Sequence, residues 1–395
     1  MKALISGAGI TGMAAAERLT SHGWDVAVVE KASGPRPQGY MIDFFGPGYE
    51  AVELMGYEDR LHEFGQQVAQ ADYVDADNNV RARLRYGTLE KAMSGKLVSI
   101  MRPDLEYLLT EAVGDRADIR YSTVIESIDE TSETVVAELS DGTTVEADLL
   151  IGADGIHSQT REMKFGSEDK FLYPLGMHTA AFVFDDPEVF DQVNGSLILT
   201  ESLDAQMGFY GTREGKVAVF TVHRDSGPLP DDPRTVLKER YDGIGPLAQR
   251  ALDGCPSPSE IYYDVVAQID LPQWVDGRTM FLGDAAYAVS LVAGQGASLG
   301  VAGAYVLGER LRDVTSSEDV PSALRECESR LKDVVRDRKM TARKNAEKVF
   351  LPQTMAQLWL RRWMVKAMRV PGASRVLRSG LVGKDHSSVA ALSDF

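Results

Sequence analysis

Six residues near the start of the chain constrain its fold more than any other stretch: Gly7-Ala8-Gly9-Ile10-Thr11-Gly12. They follow a short apolar run, Lys2 to Ser6, that reads as a buried strand. They open a helical segment from Gly12 to His22, with Met13, Ala16 and Leu19 on one face. Gly23 ends that helix, and Asp25 to Glu30 forms a second apolar strand closing on a carboxylate. The result is a βαβ unit in which each glycine has a task. The first permits a tight turn, the second lets backbone approach a diphosphate, and the third allows close helix–strand packing. A diphosphate would rest on the unpaired N–H groups of the helix start, and Glu30 would accept hydrogen bonds from ribose hydroxyls. The motif alone does not separate NAD from FAD, although Glu30 would repel the 2′-phosphate of NADP at this site.

Composition narrows the function classes. The 395 residues carry a formal charge of −17, which argues against a nucleic-acid partner, since phosphate binding needs surplus Lys and Arg. Two cysteines, Cys255 and Cys327, give neither a disulfide framework nor a Cys-based zinc site and fit a reducing cytoplasm. The six histidines form no HxxxH or HExxH pair, so no metal site is expected. No leader pattern precedes the Gly-rich motif. Ala285 to Gly308 holds no charged residue and is long enough to cross a bilayer, but its glycines, Gln295 and serines read better as a buried loop leading into a helix.

The rest of the chain alternates between two patterns. Residues 70–86 alternate around Asp77-Asn78-Asn79 like a hairpin, Arg102 to Val113 is helical, and Asp118 to Leu150 gives strands with a turn at Asp141-Gly142. From about Phe171 to Val266 the period is nearer two than 3.6, which predicts an antiparallel sheet inserted between nucleotide-binding segments. Beyond Gly283 the chain turns helical. Two further motifs follow apolar strands: Asp154-Gly155 with Ser158 and Arg161, and Gly283-Asp284 followed by the turn Gly294-Gln295-Gly296.

Taken in order, these motifs resemble the class A FAD-dependent (flavoprotein) monooxygenases of the para-hydroxybenzoate hydroxylase type, over nearly the whole chain. The resemblance implies an α/β fold: a Rossmann-like FAD-binding domain with an inserted antiparallel-sheet substrate domain and a helical C-terminus. The expected division is 1–70, 101–170 and 271–345 for FAD, 71–100 and 171–270 for substrate, and 346–395 as a C-terminal helical segment. It implies tight, non-covalent FAD. Gly7, Gly9, Ile10, Thr11, Gly12, Glu30 and Lys31 would hold the ADP half, with Val124 supplying backbone near adenine. Arg102 would lie against the diphosphate or ribitol, and Gly283-Asp284 would bind ribitol or diphosphate. Gly294, Gln295, Gly296 and Ala297 would face the isoalloxazine, and Asp43 lies in a segment passing beside it. Asp154 and Gly155 would serve both FAD and transient NAD(P)H, which lacks a Rossmann unit of its own here. In the family the reduced flavin adds O₂ to form a C4a-hydroperoxide that oxygenates the substrate.

The substrate expected by resemblance is an aromatic or polyketide-like small molecule, and no catalytic base stands out. His157 reads as structural, and Phe182, Phe184, Met207, Phe209 and Phe220 suit either a substrate surface or a sheet core. The plainer alternative for Asp154 is that it caps the turn before Ser158. Departures from the family pattern are Tyr287 for a common His, Leu291 for a proline near the flavin, Ser298 for Asn, and Gly303 for an acidic residue. The missing proline bears on the oxygen pocket. A dehydrogenase or oxidase on the same scaffold, or a non-catalytic flavin or small-molecule binder, are the alternatives. A flavin halogenase is disfavoured, because no Trp-x-Trp-x-Ile-Pro segment occurs. Residues 339–384 hold eleven Lys/Arg against one acid, Glu347, a net of +10. Trp359, Leu360 and Trp363 sit among those cations, and the resulting helix is expected to pack on the acidic body or close the substrate mouth rather than to contact a membrane.

Overall fold

The computed structural model describes residues 1–35, 39–291, 294–345, 350–367 and 388–389. Its first sheet has six strands, in the order Val275–Asp276, Thr279–Phe281, Leu149–Gly152, Lys2–Ser6, Asp25–Glu30, Ala117–Tyr121. All neighbours are parallel except the outer pair. Ile5 stands beside Ile151 and Val28, and Leu4 beside Leu150 and Ala27, so the central strand is apolar on both faces, as a doubly covered parallel sheet demands. The helix Ile10–Ser21 starts two residues earlier than the sequence suggests and packs between Arg102–Val113 and Gly296–Leu311. Its Met13, Ala16 and Leu19 join Ile5, Val28, Ile151, Leu108 and Val306 in the largest apolar cluster. A three-stranded meander, Ile125–Glu130, Val135–Leu139 and Thr144–Ala147, covers the opposite face of the sheet through Leu4, Ala27 and Leu150.

The second large sheet has seven strands, in the order Tyr262–Ile269, Leu172–Phe184, Val217–Arg224, Ala205–Gly211, Ser196–Thr200, Gln70–Val74, Val80–Arg85. It is antiparallel with one exception: Ser196–Thr200 runs parallel to Gln70–Val74. The periodicity could not show this joint, because the two strands are separated by a long stretch of chain and no turn fixes their direction. One face is closed by the helices Pro187–Val193, Pro233–Tyr241 and Pro246–Asp253. Phe182, Phe184, Met207 and Phe209 belong to that core, whereas Phe220 lies in the cluster on the other face with Tyr210, Met101 and Phe45. Four of the five aromatic or thioether candidates are therefore core residues.

A short ribbon, Met41–Phe45 against Leu97–Met101, lies between the two sheets in the chain order. The uncharged stretch after Asp284 becomes the largely buried helix Gly296–Leu311. Among the described residues, no helix is long and apolar enough to cross a membrane. The last described helix, Met355–Ala367, packs on the edge strand Val80–Arg85. The remainder of the basic stretch, 368–384, lies outside the described residues.

Candidate cofactor cleft

The glycine turn is dictated by contact with the third parallel strand. Gly7 has φ +105°, and a Cβ there would stand 2.5 Å from the Ala153 carbonyl oxygen. Its N–H donates to Val29 O at 2.7 Å, which fixes the turn to the second strand as well. A Cβ on Gly12 would overlap the Gly7 carbonyl, so strand and helix touch only because that residue is bare. Gly9 differs: the nearest atom to its missing Cβ is Glu106 Oε2 at 3.9 Å, and the space above it opens into a cleft. The helix Ile10–Ser21 begins there with no side-chain cap and no acid in its first turn. Its dipole and N–H groups are thus directed at the cleft with no acid in its own first turn, a setting that favours an anion.

That cleft spans about 970 Å³ including its open solvent mouth and is lined from five separate stretches of the chain. Of the residues singled out from sequence, Gly7, Gly9, Glu30, Lys31, Arg102, Val124, Asp154 and Gly155 all border it. Glu30 accepts from the backbone N–H of Ala8 at 2.9 Å through one oxygen and of Ala32 at 2.8 Å through the other. Val124 is more committed than the sequence implied. Its N–H donates to Ser140 Oγ at 3.0 Å and its carbonyl accepts from Ser140 N–H at 2.9 Å, leaving only the second carbonyl lone pair for an adenine contact.

Asp154 is placed both at the cleft and in the turn before the next helix. It borders the cleft while accepting from Ser158 Oγ at 2.5 Å and Thr160 N–H at 3.0 Å. Ser158 Oγ in turn accepts from Arg161 N–H at 2.9 Å and caps the helix Gln159–Phe165. Arg161 is fully buried and donates to Ala285 O at 3.0 Å, which ties the second motif to the third.

His157 also lines the cleft, which the sequence did not signal. Its Nδ1 meets Glu168 Oε1 at 2.9 Å and its Nε2 meets Asp264 Oδ1 at 3.0 Å. The Asp264 hydrogen bond, against burial and helped by Glu168, pushes its pKa up to about 9, so the ring is a cation at neutral pH. Asp264 sits 107 positions away on the second sheet. No local pattern could reveal that partner. Ser6, Glu106, Tyr121, Thr123, Gln159 and Thr160 complete much of the lining; most are neighbours of motif residues and were legible only as such.

The third motif meets the first from behind. A Cβ at Gly283 or at Gly300 would overlap Thr11 Oγ1, so Thr11 is clamped between the two. Ile10, Thr11 and Gly12 do not line the cleft themselves, nor do Gly283, Asp284 or the Gly294–Ala297 turn. Asp284 is nevertheless within electrostatic reach of Arg102; burial pushes its carboxyl up and Arg102 opposes that. The helix after the turn, Gly296–Leu311, again has no acid in its first turn. Asp43 does not line the cleft either; it accepts from Ser99 Oγ at 2.6 Å and Tyr86 Oη at 3.2 Å, with burial pushing its carboxyl up.

The departures from the family pattern have structural counterparts. A Cβ on Gly303 would overlap Tyr287 Oη, so the small residue makes room for the large one. Ser298 Oγ accepts from Gly48 N–H at 2.8 Å and donates to Phe45 O at 2.6 Å, stitching the helix start to the ribbon. Leu291 packs with Met177, Val222, Val266 and Leu351.

An FAD binding domain model matches residues 1–342. The chain belongs to the FAD-dependent monooxygenase family. Within that family it is 30% identical to a flavin-dependent monooxygenase from an unknown prokaryotic organism, over 80% of this chain and 82% of the relative. It is 27% identical to the monooxygenase CTB7 of Cercospora beticola, over 96% and 94%. An uncharacterized protein of Mycobacterium tuberculosis is 30% identical over 78% and 84%. Among solved structures, the tetracycline destructase Tet(55) superposes with a TM-score of 0.80 at 26% identity, covering 98% of this chain and 97% of its own. Klebsiella pneumoniae HpxO complexed with FAD and uric acid gives 0.76 at 22%, covering 99% and 96%, a likeness of fold. The family's FAD fits the residues present: a bare glycine shelf and an uncapped helix start, with Lys31, Arg102 and the Glu30 carboxylate, border one cleft.

The sequence excluded a metal site by local spacing, yet His178 and His223 face each other across paired strands. With Asp225 they bring ligand-capable atoms within 4.8 Å of one another. Arg240 already pairs with Asp225 at 3.0 Å, and the Tyr241 and Tyr263 hydroxyls engage both nitrogens of His223. Burial pulls the His223 pKa down to about 4, so its ring is neutral at pH 7 within a hydrogen-bonded network under the helix Pro233–Tyr241.

Proposed function

We propose that this chain uses NAD(P)H and O₂ to insert one oxygen atom into an aromatic or polyketide-like small molecule. The overall balance is NAD(P)H + H⁺ + O₂ + RH giving NAD(P)⁺ + ROH + H₂O. The observation that carries this reading is the single cleft bordered by the Gly7–Gly9 turn, Glu30, Arg102 and Asp154-Gly155, in a chain of the FAD-dependent monooxygenase family. Bound FAD would supply the chemistry of accepting a hydride equivalent and activating O₂.

The protein's own residues would do the rest. The Gly7–Gly9 backbone and the helix start would hold the diphosphate, Glu30 a ribose, and Arg102 the diphosphate or ribitol. Asp284 would take a ribitol hydroxyl, and Gly294 to Ala297 would flank the ring. NAD(P)H would enter transiently, since no second GxGxxG unit is present. The proposed division of labour assigns 1–70, 101–170 and 271–345 to FAD and the seven-stranded sheet to substrate. The polyketide-like assignment draws on Tet(55), whose name states tetracycline, a polycyclic molecule, as its target.

The test is NADPH and NADH oxidation by the FAD-loaded protein, with and without polycyclic aromatic candidates. Substrate-stimulated oxidation with equal O₂ uptake and one ¹⁸O atom in the product is expected. Peroxide equal to the NAD(P)H consumed, at every substrate tried, would make it an oxidase. Failure of any donor to bleach the flavin would make it a binding protein.

A further inference from the structure

The helix Met355–Ala367 carries large apolar side chains on both its buried and its exposed face. Its inward face, Leu358, Arg361 and Val365, is buried against the edge of the seven-stranded sheet. The buried Arg361 stacks over the Tyr73 ring at 5.2 Å and, with Arg362 at 2.6 Å, shares the fully buried side chain of Glu201. The outward face is apolar as well. Met355, Trp359 and Trp363 succeed each other at four-residue spacing and are 64%, 70% and 60% exposed, with Leu360 at 54% beside them. Among the described residues these are the three most exposed large apolar side chains of the chain. A contiguous aromatic stripe left in water, while an arginine is spent on anchoring the other face, marks a surface built to be covered.

The groove between the tryptophans identifies what covers it. Arg81, Trp359, Arg362, Trp363 and Lys366 line it. Arg81 pairs with Asp75, and Arg361 and Arg362 share Glu201, so among the described residues the local balance is positive. The sequence continues the trend: residues 368–384 add Arg369, Arg375, Arg378 and Lys384 and no acid. A second copy of this chain joined across a two-fold axis would set these cations against themselves. An anionic bilayer surface matches both halves of the patch, offering phosphates to the cations and the headgroup–acyl boundary to the indoles. The acidic remainder of the chain does not forbid this, because charges beyond a Debye length of about 8 Å are screened at physiological ionic strength.

We infer that the Met355–Ala367 helix docks this enzyme peripherally on an anionic lipid surface through Trp359, Leu360, Trp363 and Lys366. This inference stands apart from the flavin chemistry and needs no turnover to be tested. The chain has four tryptophans, and Trp24 and Trp274 are buried, so a blue shift of emission on adding vesicles reports Trp359 and Trp363. The full chain is sedimented with vesicles of phosphatidylglycerol and phosphatidylcholine, and with phosphatidylcholine alone. Binding is expected only with the anionic mixture, weakening as salt rises. Trp359→Gln with Trp363→Gln should lower the partition coefficient at least about tenfold. Lys366→Ala should lower it about fivefold, since one cation near such a surface contributes that much. Both variants should keep the wild-type thermal midpoint and FAD content. No preference for anionic vesicles, or unchanged binding by the tryptophan variant, overturns the inference. So does concentration-dependent self-association that the same variant abolishes in the absence of any vesicle binding.

Discussion

Replacing Glu30 by Gln tests the cofactor cleft at the position where geometry gives a number. The carboxylate serves two backbone donors at once, Ala8 N–H at 2.9 Å and Ala32 N–H at 2.8 Å, one on each oxygen. A glutamine has one oxygen, so one of those N–H groups would face an NH₂ group instead. Losing a hydrogen bond to a charged acceptor costs about 1.5–3 kcal/mol. The apo protein should therefore melt several degrees lower. If the carboxylate also accepts from a ribose hydroxyl, bound FAD loses a comparable amount, and since each 1.4 kcal/mol is tenfold, Kd should rise about 10- to 100-fold. Quenching of flavin fluorescence on titration into apo protein measures Kd, and calorimetry measures the melting midpoint. A Kd within twofold of wild type, with the melting point lowered, would make Glu30 a brace of the turn and nothing more. Both quantities unchanged would refute the reasoning.

Three further outcomes follow from the same geometry. Arg102→Met should weaken FAD about 10- to 100-fold by removing a charge-assisted contact, and should flatten the salt dependence of binding measured by the same titration. Gly303→Ala should destabilise by about 1–3 kcal/mol through overlap with Tyr287 Oη, and Tyr287→Phe in the same chain should recover most of it. A double-mutant cycle in urea reads the coupling, and strict additivity would contradict the steric pairing. His157 is raised from 6.5 to about 9 in the folded state, so its protonation stabilises the fold fully below pH 6.5 and the contribution disappears as pH rises through about 9. The difference in melting point between wild type and His157→Gln should shrink across that window, and a difference that grows with pH would contradict the assignment.

What could be read from sequence was what is local. The Gly7–Gly12 turn, the Glu30 strand end, the helix Arg102–Val113 and the Asp141-Gly142 turn all depend on residues within a few positions, and each lies where the pattern places it. Asp154 and Ser158 likewise encode their own turn. The partners that required folding to meet were invisible: His157 with Asp264, His178 opposite His223, Thr11 between Gly283 and Gly300, and Ser196–Thr200 parallel to Gln70–Val74. A periodicity of two could not say which face of the second sheet would be sealed by helices. Phe182 and Phe209 therefore read equally as core or as substrate wall until the three covering helices settled it. The basic helix was legible as amphipathic, but not that its arginine would be the buried face and its tryptophans the exposed one.

A crystal structure of the chain grown with FAD bears most directly on the account. The diphosphate should lie over the Gly9 shelf at the start of the helix Ile10–Ser21, with Glu30 on a ribose hydroxyl and Arg102 within contact of the diphosphate or ribitol. Flavin found outside that cleft, or protein that stays colourless at saturating FAD, would contradict it.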